Sequence, residues 1–180
     1  VRRRALAGLA ALWLAACAGA PSTELSDFSA RLAANPSATA VLQAVCDTRA
    51  PGARIVARRV AGVDKPADAE VRGALGAAAG EAVRYRRVEL ACGDEVFSRA
   101  DNWYRPGRLT AEMNRQLDET ETPFGVVVRP LGFQRRLLST RRGAGEAVLV
   151  NRAVLTTPDG AAFSLVVETY SDAVLGTARR

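Results

Sequence analysis

The chain has 180 residues, 48% of them apolar, with three cysteines and no histidine. That length suits one domain with a full core. Without histidine there is no Ser-His-Asp or Cys-His catalytic machinery and no His-ligated metal. The cysteines stand too far apart for CxxC zinc or redox pairs. No metal or cofactor is therefore expected, and any chemistry falls to arginine, carboxylates, hydroxyls and backbone groups.

The net charge of +6 is partly a property of the N-terminus, because Arg2, Arg3 and Arg4 precede any acid. Without them 22 basic groups face 19 acidic ones. Lys65 is the only lysine. Short clusters such as Arg135-Arg136 and Arg141-Arg142 read as solvated loop charges, with no basic stripe interleaved with aromatics. Nucleic acid is not an expected partner.

Residues 1–16 read as an export signal: three arginines, then an apolar run of 12 residues from Ala5 to Ala16. A run that short cannot span a bilayer core, which needs ~20 apolar residues. Leu14-Ala15-Ala16-Cys17 resembles the lipobox of bacterial lipoproteins, which implies lipidation at Cys17 and a membrane tether through acyl chains. Residues 17–23 follow as a linker and 24–180 as the domain proper. Ala18 is not the aspartate that retains lipoproteins in an inner membrane, so the expected location is the envelope, facing the periplasm at the outer membrane. In that setting Cys46 and Cys92, 46 residues apart, are either a disulfide or two buried thiols. A bridge would stabilise by ~4 kcal/mol in the chain-entropy view.

Leu25, Phe28, Leu32 and Ala33 recur at helical spacing, and Asn35-Pro36 stops that helix. Ser37 can cap a second helix carrying Val41, Leu42, Val45 and Cys46 on one face. Residues 53–61 suit a strand, 64–66 a loop and 67–75 a short helix. Strands at 83–92 and 95–104 flank a Gly93-Asp94 hairpin turn, and Pro106-Gly107 ends the second. Residues 109–119 form a helix capped by Thr110, and Thr122-Pro123-Phe124-Gly125 a turn. One or two further strands are expected in 126–138, then a polar loop over 139–145. Strands at 147–156 and 161–170 flank Pro158-Asp159-Gly160. Hairpins with a few helices define an α+β fold, an antiparallel sheet with flanking helices.

On the strand 83–92, Tyr85, Arg87, Glu89 and Ala91 share one face while Val88, Leu90 and Cys92 share the other. Glu168 shares a face with Val166 and Tyr170. A carboxylate there needs a partner. Either Arg87 pairs with Glu89 or Glu168 on a solvated face, or Arg87 and Glu168 line a pocket; periodicity leaves both open.

Arg87-Val88-Glu89-Leu90-Ala91-Cys92-Gly93-Asp94 resembles the strand and hairpin that carry the active-site arginine of chorismate lyase. Thr122-Pro123-Phe124-Gly125 resembles that family's Thr-Pro-Leu-Gly turn, with Phe124 where the family has leucine. Pro106 falls at the matching strand end, and Glu168 matches the family's glutamate. The likeness spans residues 50–175. It extends to the UTRA effector domain of GntR-type regulators. It extends also to uncharacterised exported proteins with stretches like Asp101-Asn102-Trp103-Tyr104 and Leu109-Thr110-Ala111-Glu112-Met113-Asn114.

The resemblance implies that Arg87 binds a carboxylate, for which a bidentate guanidinium is suited. It implies an apolar wall and backbone groups at Phe124 and Gly125. Glu168 would hold a hydroxyl or handle a proton, and residues 107–122 would form a flap over the pocket. The expected protein is thus an envelope lipoprotein binding a small cyclic or aromatic carboxylate. One alternative is a cofactor-free lyase that releases pyruvate, with Arg87 and Glu168 catalytic. Another is a structural or interaction lipoprotein with a vestigial pocket, presenting Trp103 and Tyr104.

Overall fold

A computed structural model describes residues 23–175. Their α+β architecture is one six-stranded antiparallel sheet of order β1-β2-β3-β6-β5-β4 with helices against it. Helix α1 (Thr23–Ala34) buries Phe28 and Leu32 and ends at Asn35-Pro36. The Asn35 side chain accepts from the Ser37 N–H at 2.9 Å. Ser37 in turn caps α2 (Ala38–Arg49), its hydroxyl oxygen accepting from the Ala40 N–H. Helix α2 buries Val41, Leu42, Val45 and Cys46.

Strand β1 (Ile55–Arg59) lies at one edge, and α3 (Ala69–Leu75) follows, started by the Asp68 side chain and stopped by left-handed Gly76. Strands β2 (Arg84–Cys92) and β3 (Glu95–Tyr104) form the first hairpin, with Gly93 at a φ of +58° making the reversal. Helix α4 (Ala111–Glu119) is capped by Thr110 and buries Met113 and Leu117. Strands β5 (Ala147–Thr156) and β6 (Ala162–Ser171) form the second hairpin.

The stretch 126–138 departs from expectation. Its first part is helical: α5 (Phe124–Val127), then a 3-10 turn over Arg129–Leu131. Three consecutive valines favour a strand by propensity, but Pro123 presets a helical entry and its carbonyl accepts from the N–H groups of Val126 and Val127. Val127 and Val128 are then buried beside Tyr104 and Phe163. The strand β4 (Gln134–Arg142) starts later and runs through much of the expected 139–145 loop, paired with β5.

The two sheet faces have different fates. Helices α1 and α2 cover the face carrying Val88, Leu90, Ala100, Val166 and Tyr170. Phe28 meets the Tyr170 ring edge-on, centroids 5.2 Å apart. On the opposite face α3 packs Val71 and Leu75 against Trp103, Val154 and Leu165. Trp103 and Tyr104 are buried, which corrects their reading as a presented surface. The disulfide left open by sequence is formed: Cys46 on α2 is bonded to Cys92 at the end of β2.

Candidate functional site

A cavity of about 60 Å³ lies between the sheet and the junction of α1 with α2. Its floor is Arg86 and Val88 of β2, Ala100 and Asn102 of β3, Val166 and Glu168 of β6, and Leu155 of β5. Arg135 reaches it from β4 at the far edge. The roof is residues 36–39 together with Phe124, Gly125 and Phe133. None of the cavity-lining residues comes from α4, so the flap expected at 107–122 is corrected: α4 packs on its own apolar cluster instead.

Arg86 is the central feature. It is 3% exposed, and its Nε and Nη1 have no hydrogen-bond partner. Burial pulls the guanidinium below the usual arginine range, with the positive charge of Arg59 adding to that and Tyr104 and Asp118 opposing it. Asp118 is engaged elsewhere, accepting from Arg84 at 3.0 Å and lying 3.8 Å from Arg59. An arginine remains protonated even so. The cavity therefore holds a positive charge that no neighbouring side chain neutralises.

Arg135 and Glu168 cancel one another. Arg135 Nη2 donates to Glu168 Oε2 at 2.5 Å, with side chains 3% and 8% exposed. Arg135 Nη1 donates to the Leu32 carbonyl, leaving its Nε without a partner. Burial pushes the Tyr170 phenol well up, and the nearby Glu168 carboxylate adds to it. Asn102 accepts from the Ser164 hydroxyl at 2.6 Å, which fixes its amide at the cavity floor.

The roof adds a second source of positive potential. Helix α2 begins at the cavity, and the N–H groups of Ala38 and Thr39 in its first turn have no acceptor within the helix. A helix N-terminus carries about half a positive charge and directs amides at an anion. The cavity thus joins two features of one sign, and the chemistry they fit is an anion.

The expected residues divide between the two sheet faces. Phe124, Gly125 and Glu168 line the cavity. Arg87 does not. It lies on the opposite face, donating to Asp101 from Nε at 2.6 Å and Nη2 at 2.9 Å. Lys65 and Tyr85 also donate to Asp101. Arg87 thus pairs with neither Glu89 nor Glu168: Glu89 is held by Arg99 at 2.9 Å, and Glu168 by Arg135. Its next-door neighbour Arg86 is the one that lines the cavity. The signal was present, because Arg86 is in phase with Val88, Leu90 and Cys92, and a cation in phase with an apolar face is the anomaly to follow. Arg135 carried no such signal, since the register of β4 depends on where α5 ends. Cys17 and the signal expected at 1–16 lie outside the described residues.

The fold is the UTRA, or chorismate lyase-like, α+β fold of GntR-family effector domains. It matches the effector domain of PhnF from Mycobacterium smegmatis with a TM-score of 0.54 at 17% identity, covering 76% of this chain and 88% of that one. It also matches a GntR-family transcriptional regulator from Enterococcus faecalis V583 at a TM-score of 0.50 and 13% identity, covering 69% and 99%. No family model matches the chain. In sequence it is 40% identical over 177 residues to the uncharacterized protein y4mC of Sinorhizobium fredii (strain NBRC 101917 / NGR234), covering 84% of this chain and 75% of that protein. The chain belongs to the family of that protein.

These relatives correct two expectations. The reading as an envelope lipoprotein, with a pyruvate lyase or a structural lipoprotein as its alternatives, is overturned by neighbours that are effector domains of transcriptional regulators. The envelope location falls with it. Among the described residues no helix is long and apolar enough to cross a membrane. The neighbours belong to transcriptional regulators, whereas nucleic acid is not among the partners expected from the sequence.

Proposed function

We propose that this chain is a small-molecule binding protein of the effector-domain type, and that its cavity takes an anion anchored by Arg86. One observation carries the reading: a 97%-buried arginine faces a cavity with two of its donors unpartnered. Leaving an unpaired charge in a low-dielectric interior costs several kcal/mol. Such a charge is kept where something arrives to pair with it, and perturbed charged groups in clefts mark functional sites. The first-turn amides of α2 would share the anion, while Phe124, Val166 and Leu155 would exclude water around it.

Glu168 and Arg135 would act as a built-in pair, holding the cavity open between sheet and roof. Binding is the reading that the unpartnered guanidinium supports. In a regulator of the effector type, occupation of such a cavity is the signal, because it ties α2 to β2 through one ligand.

Calorimetric titration of the full chain with methanesulfonate, acetate and formate, against neutral dimethyl sulfone, tests the reading. The expected result is saturable binding of the anions alone, lost in Arg86→Met and retained in Arg87→Met. Equal binding by Arg86→Met would refute it.

A further inference from the structure

We infer that the cavity selects singly charged anions over doubly charged ones of the same size, and that Glu168 sets this limit. The inference rests on the anion-binding reading above and deepens it, from an anion to a monoanion.

The charges around the cavity can be counted. Three charged side chains line it: Arg86 from β2, Arg135 from β4 and Glu168 from β6. Arg135 and Glu168 are held to each other at 2.5 Å, and together they add no net charge. The Tyr170 phenol beside Glu168 is pushed well up by burial and by that carboxylate, so it stays neutral. Asp118 is not part of the lining and is occupied by Arg84 and Arg59. Arg86 is what remains, one positive charge with Nε and Nη1 unpartnered. The start of α2 adds about half a charge of the same sign.

One negative charge on a ligand therefore brings the site close to neutrality. A second has no cation to meet. Arg135 reaches it only by leaving Glu168, and that strands a buried carboxylate. With the pair intact, the carboxylate of Glu168 faces the ligand at close range. The space of about 60 Å³ has room for only ~4 water-sized spheres. Phe124, Phe133, Leu155 and Val166 crowd it with apolar surface, where like charges are weakly screened. Glu168 thus repels the second charge of a dianion while the pair as a whole leaves the attraction of Arg86 for a monoanion in place.

Methanesulfonate and methylphosphonate are matched probes, alike in size and shape, but the sulfonate keeps one charge where the phosphonate acquires a second. Calorimetric titration of the full chain with each, well below and well above the second ionisation of methylphosphonate, separates charge from size. The chain has no histidine to titrate in that range, and methanesulfonate corrects for any other change in the protein. Below the ionisation the two should bind alike. Above it methylphosphonate should bind at least about tenfold more weakly than methanesulfonate. Glu168→Gln leaves Arg135 an acceptor while removing the charge, and should erase or reverse that preference. If it fails to fold, the double variant Arg135→Met/Glu168→Gln, which strands neither partner, should show the preference reduced. A preference unchanged in the folded variant would overturn the assignment to Glu168. Equal or tighter binding of the dianion by the wild type would overturn the inference while leaving the anion site standing. Failure of both probes to bind the wild type would overturn the anion-binding reading itself.

Discussion

Replacing Arg86 by methionine should make the protein more stable while abolishing anion binding. The guanidinium is 3% exposed with Nε and Nη1 unsatisfied. Each buried unsatisfied donor costs about 1–3 kcal/mol, and more when charged. Methionine has nearly the same reach, no donors, and enough flexibility to settle against Val88, Val166 and Leu155. Against this stands the lost attraction to Asp118, which is weak because Arg84 and Arg59 already occupy that carboxylate. The net expectation is a gain of about 2 kcal/mol, within the range seen when buried charges are replaced by apolar side chains. For a domain of this size that corresponds to a rise in Tm of about 4–8 °C. Thermal unfolding by circular dichroism in an anion-poor buffer measures it. The sulfonate-induced rise in Tm should vanish in the same variant. A fall of more than about 1 kcal/mol would refute the reasoning, because it would mean Arg86 has a structural partner in the folded protein.

Reducing Cys46–Cys92 should cost about 4 kcal/mol, the chain entropy released by opening a loop of 46 residues, read as a lower urea midpoint with dithiothreitol present. An unchanged midpoint would show that the packing of α2 suffices. Glu168→Ala should cost about 3–5 kcal/mol by stranding Arg135, and adding Arg135→Met should recover most of it; additive losses in urea unfolding would show the pair is not coupled. Hydrogen bonds from Arg87, Lys65 and Tyr85 outweigh burial and hold the Asp101 carboxyl down at about 2. A folded-state value below the unfolded one stabilises above pH ~4, and that contribution, on the order of 1–2 kcal/mol after solvent screening, is lost as pH falls towards 2. Asp101→Asn should flatten the pH dependence of stability in that window, and an unaltered profile would remove the carboxylate from the account.

Most of the fold was legible in the sequence because its signals are local. Ser37 and Thr110 cap the helices they were expected to cap, and both hairpins turn where Gly93-Asp94 and Pro158-Asp159-Gly160 said they would. The failure at 126–138 has one cause. Valine propensity and proline geometry conflict there, and burial of Val127 and Val128 decides for the helix. The lining of the candidate cavity was half legible. Phe124 and Gly125 were placed by the resemblance of their turn and Glu168 by the resemblance and its strand phase, and all three line the cavity, but the arginine hung on a choice between adjacent residues. A similar motif pointed to Arg87, whereas strand alternation points to Arg86.

The pairing of charges across the sheet explains why that choice matters. On one face Arg87, Asp101, Lys65, Glu89 and Arg99 satisfy each other in partial contact with solvent, where ion pairs contribute little and cost little. On the other face the same strand carries Arg86 into an interior where Arg135 has Glu168 and Arg86 has no counterpart. If folding alone governed β2, position 86 would be apolar like positions 88 and 90. The departure is confined to one residue, at the point where the first turn of α2 comes down on the sheet. A local violation of good packing on an otherwise apolar strand face is what the proposed anion site would leave in a sequence.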